Sequence, residues 1–290
     1  MKKLINKVGI VGMGWVGTAV ESGFQPIAEI RCHDKYRDTE SLNSVVNNSD
    51  ILFLALPTPM AEDGSCDISI VEEVSAKIDK VAKKRKTIVI KSTVPPGTTK
   101  MLSEKYKKHA WAFNPEFLTE KNFINDFLEQ DRIILGTTEL CDMEDVIKVI
   151  NLYKDFITKQ KVPASLYEVK SEVAEMLKYA TNSFLATKVI FFNEIYEICK
   201  ASNIDFNEVT GMMMIDKRIG QTHMAVPNDG DFGFSKSCLP KDINGLISYA
   251  KQLGVDPLIL ESVWTKNLLV RKNHDWENLA QVNGKYKKNV

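Results

Sequence analysis

The sequence predicts a doubly wound α/β domain followed by an all-helical domain built on one long helix, and three observations lead there. A glycine-rich turn, Gly12-Met-Gly14-Trp-Val-Gly17, joins a short apolar run to a helical pattern. Short apolar runs then alternate with helical patterns as far as Val169. From Ser171 to about Ser202 there is neither Gly nor Pro, and no strand pattern follows. Domains of 1–168 and 169–290 are therefore expected, in a chain long enough for two cores.

The elements follow in order. Val8–Gly12 reads as a buried strand leading into the glycine turn and a helix. Gly12 allows the tight turn, Gly14 lets backbone approach a pyrophosphate, and Gly17 lets helix and strand pack closely. A second strand, 29–34, ends in Asp34, placed for ribose hydroxyls; Asp34 favours NAD over NADP, though Lys35 and Arg37 are nearby. Ile51–Leu56 is continuously apolar, as in a parallel sheet covered on both faces, and Pro57-Thr58-Pro59 stops it. Further expected elements are a helix over 70–81, the strand Thr87–Thr93, a helix over about 99–107 and the strand Ala110–Phe113. Asn114-Pro-Glu116-Phe117-Leu118-Thr-Glu120 and a polar stretch to Asp131 come next. A strand over 132–136, a helix over 143–156 and a strand over 165–169 complete the alternation.

In the long helix, Glu172, Glu175, Lys178 and Asn182 share a face. That face is either a solvated charged stripe or the wall of a site. The apolar residues Phe184, Leu185, Ile190, Phe191 and Phe192 point to a buried or dimer-forming helix. Met212–Ile215 reads as core or interface. Two helices, over 242–253 and 257–279, and a frayed Lys-rich end complete the chain. The loop before them carries Cys238, with Lys241 and Asp242 three and four residues on. Lys241 is placed to favour a thiolate, and Asp242 either caps the next helix or positions a water.

Composition narrows the classes. Thirty-eight basic residues balance 38 acidic ones, so no global field points to nucleic acid or an anionic membrane. Five scattered cysteines without a Cys-x-x-Cys, and four scattered histidines, argue for a reducing compartment and against a metal site. No apolar run suits a membrane span, and the start reads as a strand rather than a signal, so a cytoplasmic protein is expected.

Read together, Gly12-x-Gly-x-x-Gly17, Pro57-Thr-Pro with Asp63-Gly-Ser-Cys-Asp67, Ser92-Thr-Val-Pro-Pro-Gly-Thr98 and Asn114-Pro-Glu-Phe-Leu-x-Glu120 form an ordered set. It continues through Glu175-Met-Leu-Lys-Tyr-Ala-Thr-Asn182, Phe192-Asn-Glu194, Asp216-x-Arg-Ile-Gly220 and Cys238-Leu-Pro-Lys-Asp242. The set resembles the UDP-glucose/GDP-mannose dehydrogenase family of nucleotide-sugar dehydrogenases. The resemblance implies two successive NAD-dependent oxidations at C6 of the sugar, UDP-glucose to UDP-glucuronate. It implies NAD contacts from Gly12, Gly14, Trp15, Val16, Gly17, Asp34, Lys35, Pro57, Thr58, Thr93 and Glu120. Cys238 is then the nucleophile, with Lys178 and Asn182 stabilising the oxyanion. Lys178, Thr93 and water manage the first proton. Glu116, Glu120 and Asp242 are candidates for activating the hydrolytic water; the family favours Glu116, with Asp242 helping to position it.

Phe117, Leu118, Lys178, Asn182, Gly233 and Lys241 are expected to meet the sugar nucleotide, and Arg218 to reach the site of a partner subunit in a homodimer. Three departures stand out: Ser235 and Lys236 where the family has glycines, Lys121 where it commonly has glycine, and an expected short form lacking the C-terminal UDP-binding domain. Two other readings stay open. One is a β-hydroxyacid dehydrogenase of the 3-hydroxyisobutyrate type, which oxidises once and needs no thiol. The other is a non-catalytic protein that keeps NAD and nucleotide-sugar affinity.

Overall fold

The glycine turn and the apolar runs take the places their patterns predict. The computed structural model describes residues 6–283; the strand-like start and the Lys-rich end of the chain lie mostly outside them. Two compact units emerge, one of residues 6–58 with Asp67–Lys178, the other of Pro59–Cys66 with residues 179–283.

The first unit holds β1 (Asn6–Val11), α1 (Trp15–Phe24), β2 (Ala28–His33), α2 (Leu42–Asn48), β3 (Ile51–Leu54) and α3 (Ser69–Val81). These lead to β4 (Thr87–Ile90), α4 (Thr98–Lys105), β5 (Ala110–Phe113), α5 (Phe123–Leu128), β6 (Arg132–Thr137), α6 (Met143–Gln160) and β7 (Ser165–Lys170). The sheet runs β2-β1-β3-β4-β5-β6-β7. All neighbours are parallel except β5 and β6. Every residue of β3, β4 and β5 is buried, because helices cover both faces. One face packs on the aromatic group Phe24, Phe53, Phe127, Tyr153 and Phe156. The other packs on Leu52, Leu54, Ile88, Ile90, Trp111 and Phe113. The chain reverses between β1 and β3, which makes the carboxyl ends of those strands a ligand crevice.

The continuous helix α7 (Ser171–Ala201) starts in the first unit and ends in the second. In the second unit it buries Ala186, Val189 and Ile190 against Phe234, Ile243, Ile247 and Val263. Phe192 and Cys199 pack with Phe206 and Met224 in a separate cluster. Beyond it come α8 (Phe206–Met213), α9 (Cys238–Gln252), α10 (Leu258–Val270), a 3-10 turn (Asp275–Asn278) and α11 (Ala280–Asn283).

Several local expectations are corrected. The polar stretch before Asp131 contains α5, whose Phe127 is buried in the aromatic core. The Met run is not one of them: Met213 joins the core side, and the exposed Met212 and Ile215 leave the core-or-interface expectation as it stood. The helix expected over 257–279 stops at Val270. Asp231 accepts the amides of Lys272 and Asn273, each at 3.0 Å, and Arg271 turns to the carbonyls of Asn273 and Phe232. Those amides are then unavailable to continue the helix. Finally, α9 begins at Cys238, so Asp242 lies inside the helix and is not its cap.

Glu175 ties α7 to the neighbouring loop and is wholly buried. Its carboxylate accepts from the amides of Gly97 (2.6 Å) and Thr99 (2.8 Å) and from the Thr99 hydroxyl (2.6 Å). Burial outweighs these bonds and pushes the carboxyl up to about 7. Because the folded value is raised, its stabilising contribution is complete below the ordinary carboxylate range and is lost as pH rises through about 7. Denaturant unfolding from pH 5 to pH 8 should therefore show a fall of about 1–3 kcal/mol that Glu175→Gln lacks. Equal pH slopes for the two proteins would contradict this.

Candidate active site

Local backbone demands shape the glycine turn. Gly12 has φ +94°, and a Cβ there would lie 2.3 Å from the Ala55 carbonyl oxygen. A Cβ on Gly17 would lie 1.9 Å from the Gly12 carbonyl oxygen. At Gly14, by contrast, nothing stands within 4 Å of a Cβ position, and α1 starts with no capping side chain. Open space beside uncapped amides fits the pyrophosphate of a dinucleotide.

The other predicted cofactor residues are placed as follows. Asp34 accepts from the amides of Met13 (2.7 Å) and Tyr36 (2.8 Å), so it braces the turn against the end of β2. Lys35 lies over the Tyr36 ring at 5.7 Å. Trp15 is exposed, its ring 5.7 Å from that of Phe123, and Val16 packs on the core. Pro57 is half-buried and Thr58 is buried; just before them, the Leu56 amide donates to the Ser92 hydroxyl at 2.8 Å, which joins the ends of β3 and β4. Thr93 and Glu120 are half-buried.

Glu116 stands among several polar contacts of the first unit. Its Oε2 pairs with Lys91 Nζ at 2.7 Å, and its Oε1 accepts from the Phe117 amide at 2.8 Å. Lys178 Nζ donates to the Glu116 carbonyl at 2.5 Å and sits 5.4 Å above the Phe117 ring, which Arg132 also approaches at 4.6 Å. Leu118 packs on the aromatic core. Lys91 also donates to Asn114 Oδ1 at 2.7 Å, an oxygen that accepts from the Tyr153 hydroxyl at 2.5 Å as well. Burial lowers the Lys91 ammonium, with Glu116 opposing that shift. Burial also drives the Tyr153 phenol well above its usual range. Sequence reasoning did not single out Lys91, Asn114 and Tyr153; the signal for Lys91 was a lysine directly after the apolar run Ile88–Ile90.

In the second unit, Asn182 Nδ2 donates to Asp242 Oδ2 at 2.5 Å, while Lys241 pairs with Asp242 Oδ1. Burial pulls Lys241 down, but Asp242, Cys66 and Cys238 outweigh it and raise the ammonium above the usual lysine range. Cys238 opens α9, its sulfur 3.7 Å from the Ser237 hydroxyl. The structure thus gathers Cys238, Lys241, Asp242 and Asn182, and separately Glu116 and Lys178.

The loop before Cys238 is held by buried polar side chains. Asn193 accepts from the Gly233 amide (3.0 Å), Asn267 from the Phe234 amide (2.8 Å), and Arg271 donates to the Phe232 carbonyl (3.0 Å). Gly233 has φ +68°, and a Cβ there would meet Asn267 at 2.3 Å. Lys236 has φ +67°, a left-handed conformation, and its ammonium pairs with Asp229. The backbone at this departure therefore keeps a shape that glycine adopts without strain. Ser235 is half-buried and Lys121 exposed. Arg218 is 89% exposed at its side chain and pairs with Asp216, and Lys188 fixes the next two carbonyls, Ile219 and Gly220, at 3.1 and 3.0 Å. Among the described residues, no group of His, Cys, Asp and Glu is arranged to hold a metal, and no helix is long and apolar enough to cross a membrane.

Comparison with known proteins adds two family matches. Residues 18–157 match the NAD binding domain of the UDP-glucose/GDP-mannose dehydrogenase family, and residues 172–268 match its central domain. A UDP-glucose 6-dehydrogenase from Rickettsia bellii is 36% identical over 239 residues, covering 81% of this chain and 53% of that protein. The chain thus spans about half the length of the curated relatives it matches. A solved UDP-glucose dehydrogenase from Pyrobaculum islandicum superimposes with TM-score 0.82 at 28% identity, over 92% of this chain and 69% of the other. A 3-hydroxyisobutyrate dehydrogenase from Mycobacterium tuberculosis shares the fold, with TM-score 0.71 at 12% identity over 90% and 92% of the two chains.

The glycine geometry separates binding from folding. Gly14→Ala should weaken NAD binding at least about tenfold by calorimetry, or roughly 1.4 kcal/mol, while leaving the unfolding midpoint near that of the unaltered protein. Gly17→Ala should lower stability by about 1–3 kcal/mol or more, since backbone must move. Unchanged NAD affinity in Gly14→Ala would contradict the placement of the pyrophosphate.

Proposed function

The chain belongs to the UDP-glucose/GDP-mannose dehydrogenase family, and from that premise we propose that it is an NAD-dependent nucleotide-sugar 6-dehydrogenase that converts UDP-glucose to UDP-glucuronate in two oxidations. The observation that carries this reading is the thiol of Cys238 at the start of α9, in one cluster with Lys241, Asp242 and Asn182. A single alcohol oxidation needs no such nucleophile.

Gly12, Gly14 and Gly17 with the start of α1 would hold the dinucleotide pyrophosphate, and Asp34 the ribose. NAD when bound supplies the hydride acceptor, one molecule for each oxidation. In the first oxidation, Lys178, with Thr93 and water, takes the hydroxyl proton. The Cys238 sulfur then forms a bond to the aldehyde carbon, giving a thiohemiacetal that Lys178 and Asn182 stabilise as charge develops on oxygen. The second oxidation leaves a thioester on Cys238, so free aldehyde does not escape. Glu116 takes a proton from water as its oxygen attacks, with Asp242 positioning the water; the carbon–sulfur bond breaks and the thiol regains a proton. Overall, one alcohol, two NAD and one water become one carboxylate, two NADH and three protons.

Phe117, Leu118, Gly233 and Lys241 line the sugar-nucleotide side of this scheme. A homodimer completes it, with the exposed Arg218 reaching the partner's site. Exposed Phe184, Phe191 and Ile198 recur every seven residues along α7 and support a helix-on-helix dimer contact. The cytoplasm is the expected compartment. The fold shared with 3-hydroxyisobutyrate dehydrogenase keeps the single-oxidation reading as the second one.

Cys238→Ala decides between them. With NAD and UDP-glucose, the unaltered protein should form UDP-glucuronate, and the variant should form about 10²-fold less acid or none. Acid formation at an unchanged rate in the variant would remove Cys238 from the chemistry. Failure of the unaltered protein to turn over UDP-glucose, with binding retained, would favour the non-catalytic reading.

A further inference from the structure

Lys91 is an unusual residue to find where it is. Its side chain is 2% exposed, directly after the apolar run Ile88–Ile90 of β4, and its ammonium lies 5.7 Å from the centre of the Phe127 ring. Burying an ammonium is unfavourable before any partner is counted. A buried ion pair seldom stabilises a fold more than an apolar pair of similar volume, so stability alone does not account for this one.

The surroundings show what the charge acts on. Lys91 Nζ reaches Glu116 Oε2 at 2.7 Å and Asn114 Oδ1 at 2.7 Å. Asn114 is itself fixed, donating to the Ile134 carbonyl at 2.7 Å and accepting from Tyr153 at 2.5 Å. The second Glu116 oxygen accepts from the Phe117 amide, and the Glu116 carbonyl accepts from Lys178. Each carboxylate oxygen thus has one neighbour, the Lys91 ammonium beside Oε2 and the Phe117 amide on Oε1.

We propose that Lys91 is the positioning residue of the hydrolytic half-reaction: its ammonium holds the Glu116 carboxylate in the one orientation from which it takes a proton from the attacking water. This rests on the two-oxidation reading above. In that step water oxygen bonds to C6, its proton passes to Glu116, the C6–sulfur bond breaks, and the proton goes on to the Cys238 sulfur. No electrons are transferred. Lys91 touches neither substrate nor sulfur in this scheme; it acts through Glu116.

Removing Lys91 should therefore slow hydrolysis and leave both oxidations intact. Lys91→Met, mixed with NAD and UDP-glucose and quenched, should accumulate a covalent adduct on Cys238 with the mass of the uronyl thioester. Its steady rate should fall about 10- to 100-fold after an initial burst of NADH, less than the roughly 10²–10⁴-fold a general base contributes. Lys91→Arg should recover most of the rate and show little adduct. A merely structural role would slow every step without accumulating adduct. Steady turnover by Lys91→Met with no adduct, in a preparation whose unaltered protein makes acid, would overturn the inference and leave the reading standing.

A second measurement needs no turnover and tests the premise that Lys91 and Glu116 act as a pair. Denaturation midpoints of Lys91→Met, Glu116→Gln and the double variant form a cycle. If Lys91 holds Glu116, the double variant loses less than the two single losses combined, because neither charge is left stranded. Additive losses would overturn the proposal.

Discussion

One buried ammonium and one carboxylate, Lys91 and Glu116, gather the carboxyl edge of the sheet into a single polar node. Lys91 follows β4, Asn114 and Glu116 follow β5, the Ile134 carbonyl belongs to β6, Tyr153 comes from α6 and Lys178 from α7. Each hydrogen bond there joins elements far apart in sequence. Buried polar groups cost least when their atoms are paired, and in this node Glu116 Oε2 has the Lys91 ammonium as its neighbour. That condition explains why the node includes a tyrosine and an asparagine that carry no charge. It also explains why Lys178 meets a backbone carbonyl rather than a second carboxylate.

The second unit repeats the logic with different parts. Asn182, one helical turn beyond Lys178 on α7, binds Asp242, and Asp242 binds Lys241. The backbone of the loop ahead of Cys238 is held from outside by Asn193, Asn267 and Arg271, while Asp231 within it accepts the amides of Lys272 and Asn273. A loop held in this way tolerates changes in its exposed residues. Lys236 illustrates this: it keeps a left-handed backbone, at a local cost of about 1–3 kcal/mol for a non-glycine residue, and places its charge against Asp229.

Much of the fold was legible because its signals are local. The glycine turn demands close approach at Gly12 and Gly17, and covered strands demand continuous apolar runs, so both are visible within a few residues. The helix after Pro257 was read too long because the residues that end it bind Asp231, about forty positions earlier. For Asp242 the cap and the interior position stayed open because both share a sequence pattern; the start of α9 at Cys238 distinguishes them. α5 is hidden in a polar stretch because its six residues show too little periodicity beside their polar flanks. Among the candidate residues, those singled out lie in compact motifs, whereas the bonds of Lys91, Asn114 and Tyr153 are long-range and no spacing displays them.

The central claim is that a thiol and a carboxylate carry one sugar through two oxidations. Counting NADH formed per UDP-glucose consumed by the purified chain tests it most directly. The account predicts two. A ratio of one, with aldehyde released, would contradict it and return the chain to single-step alcohol oxidation.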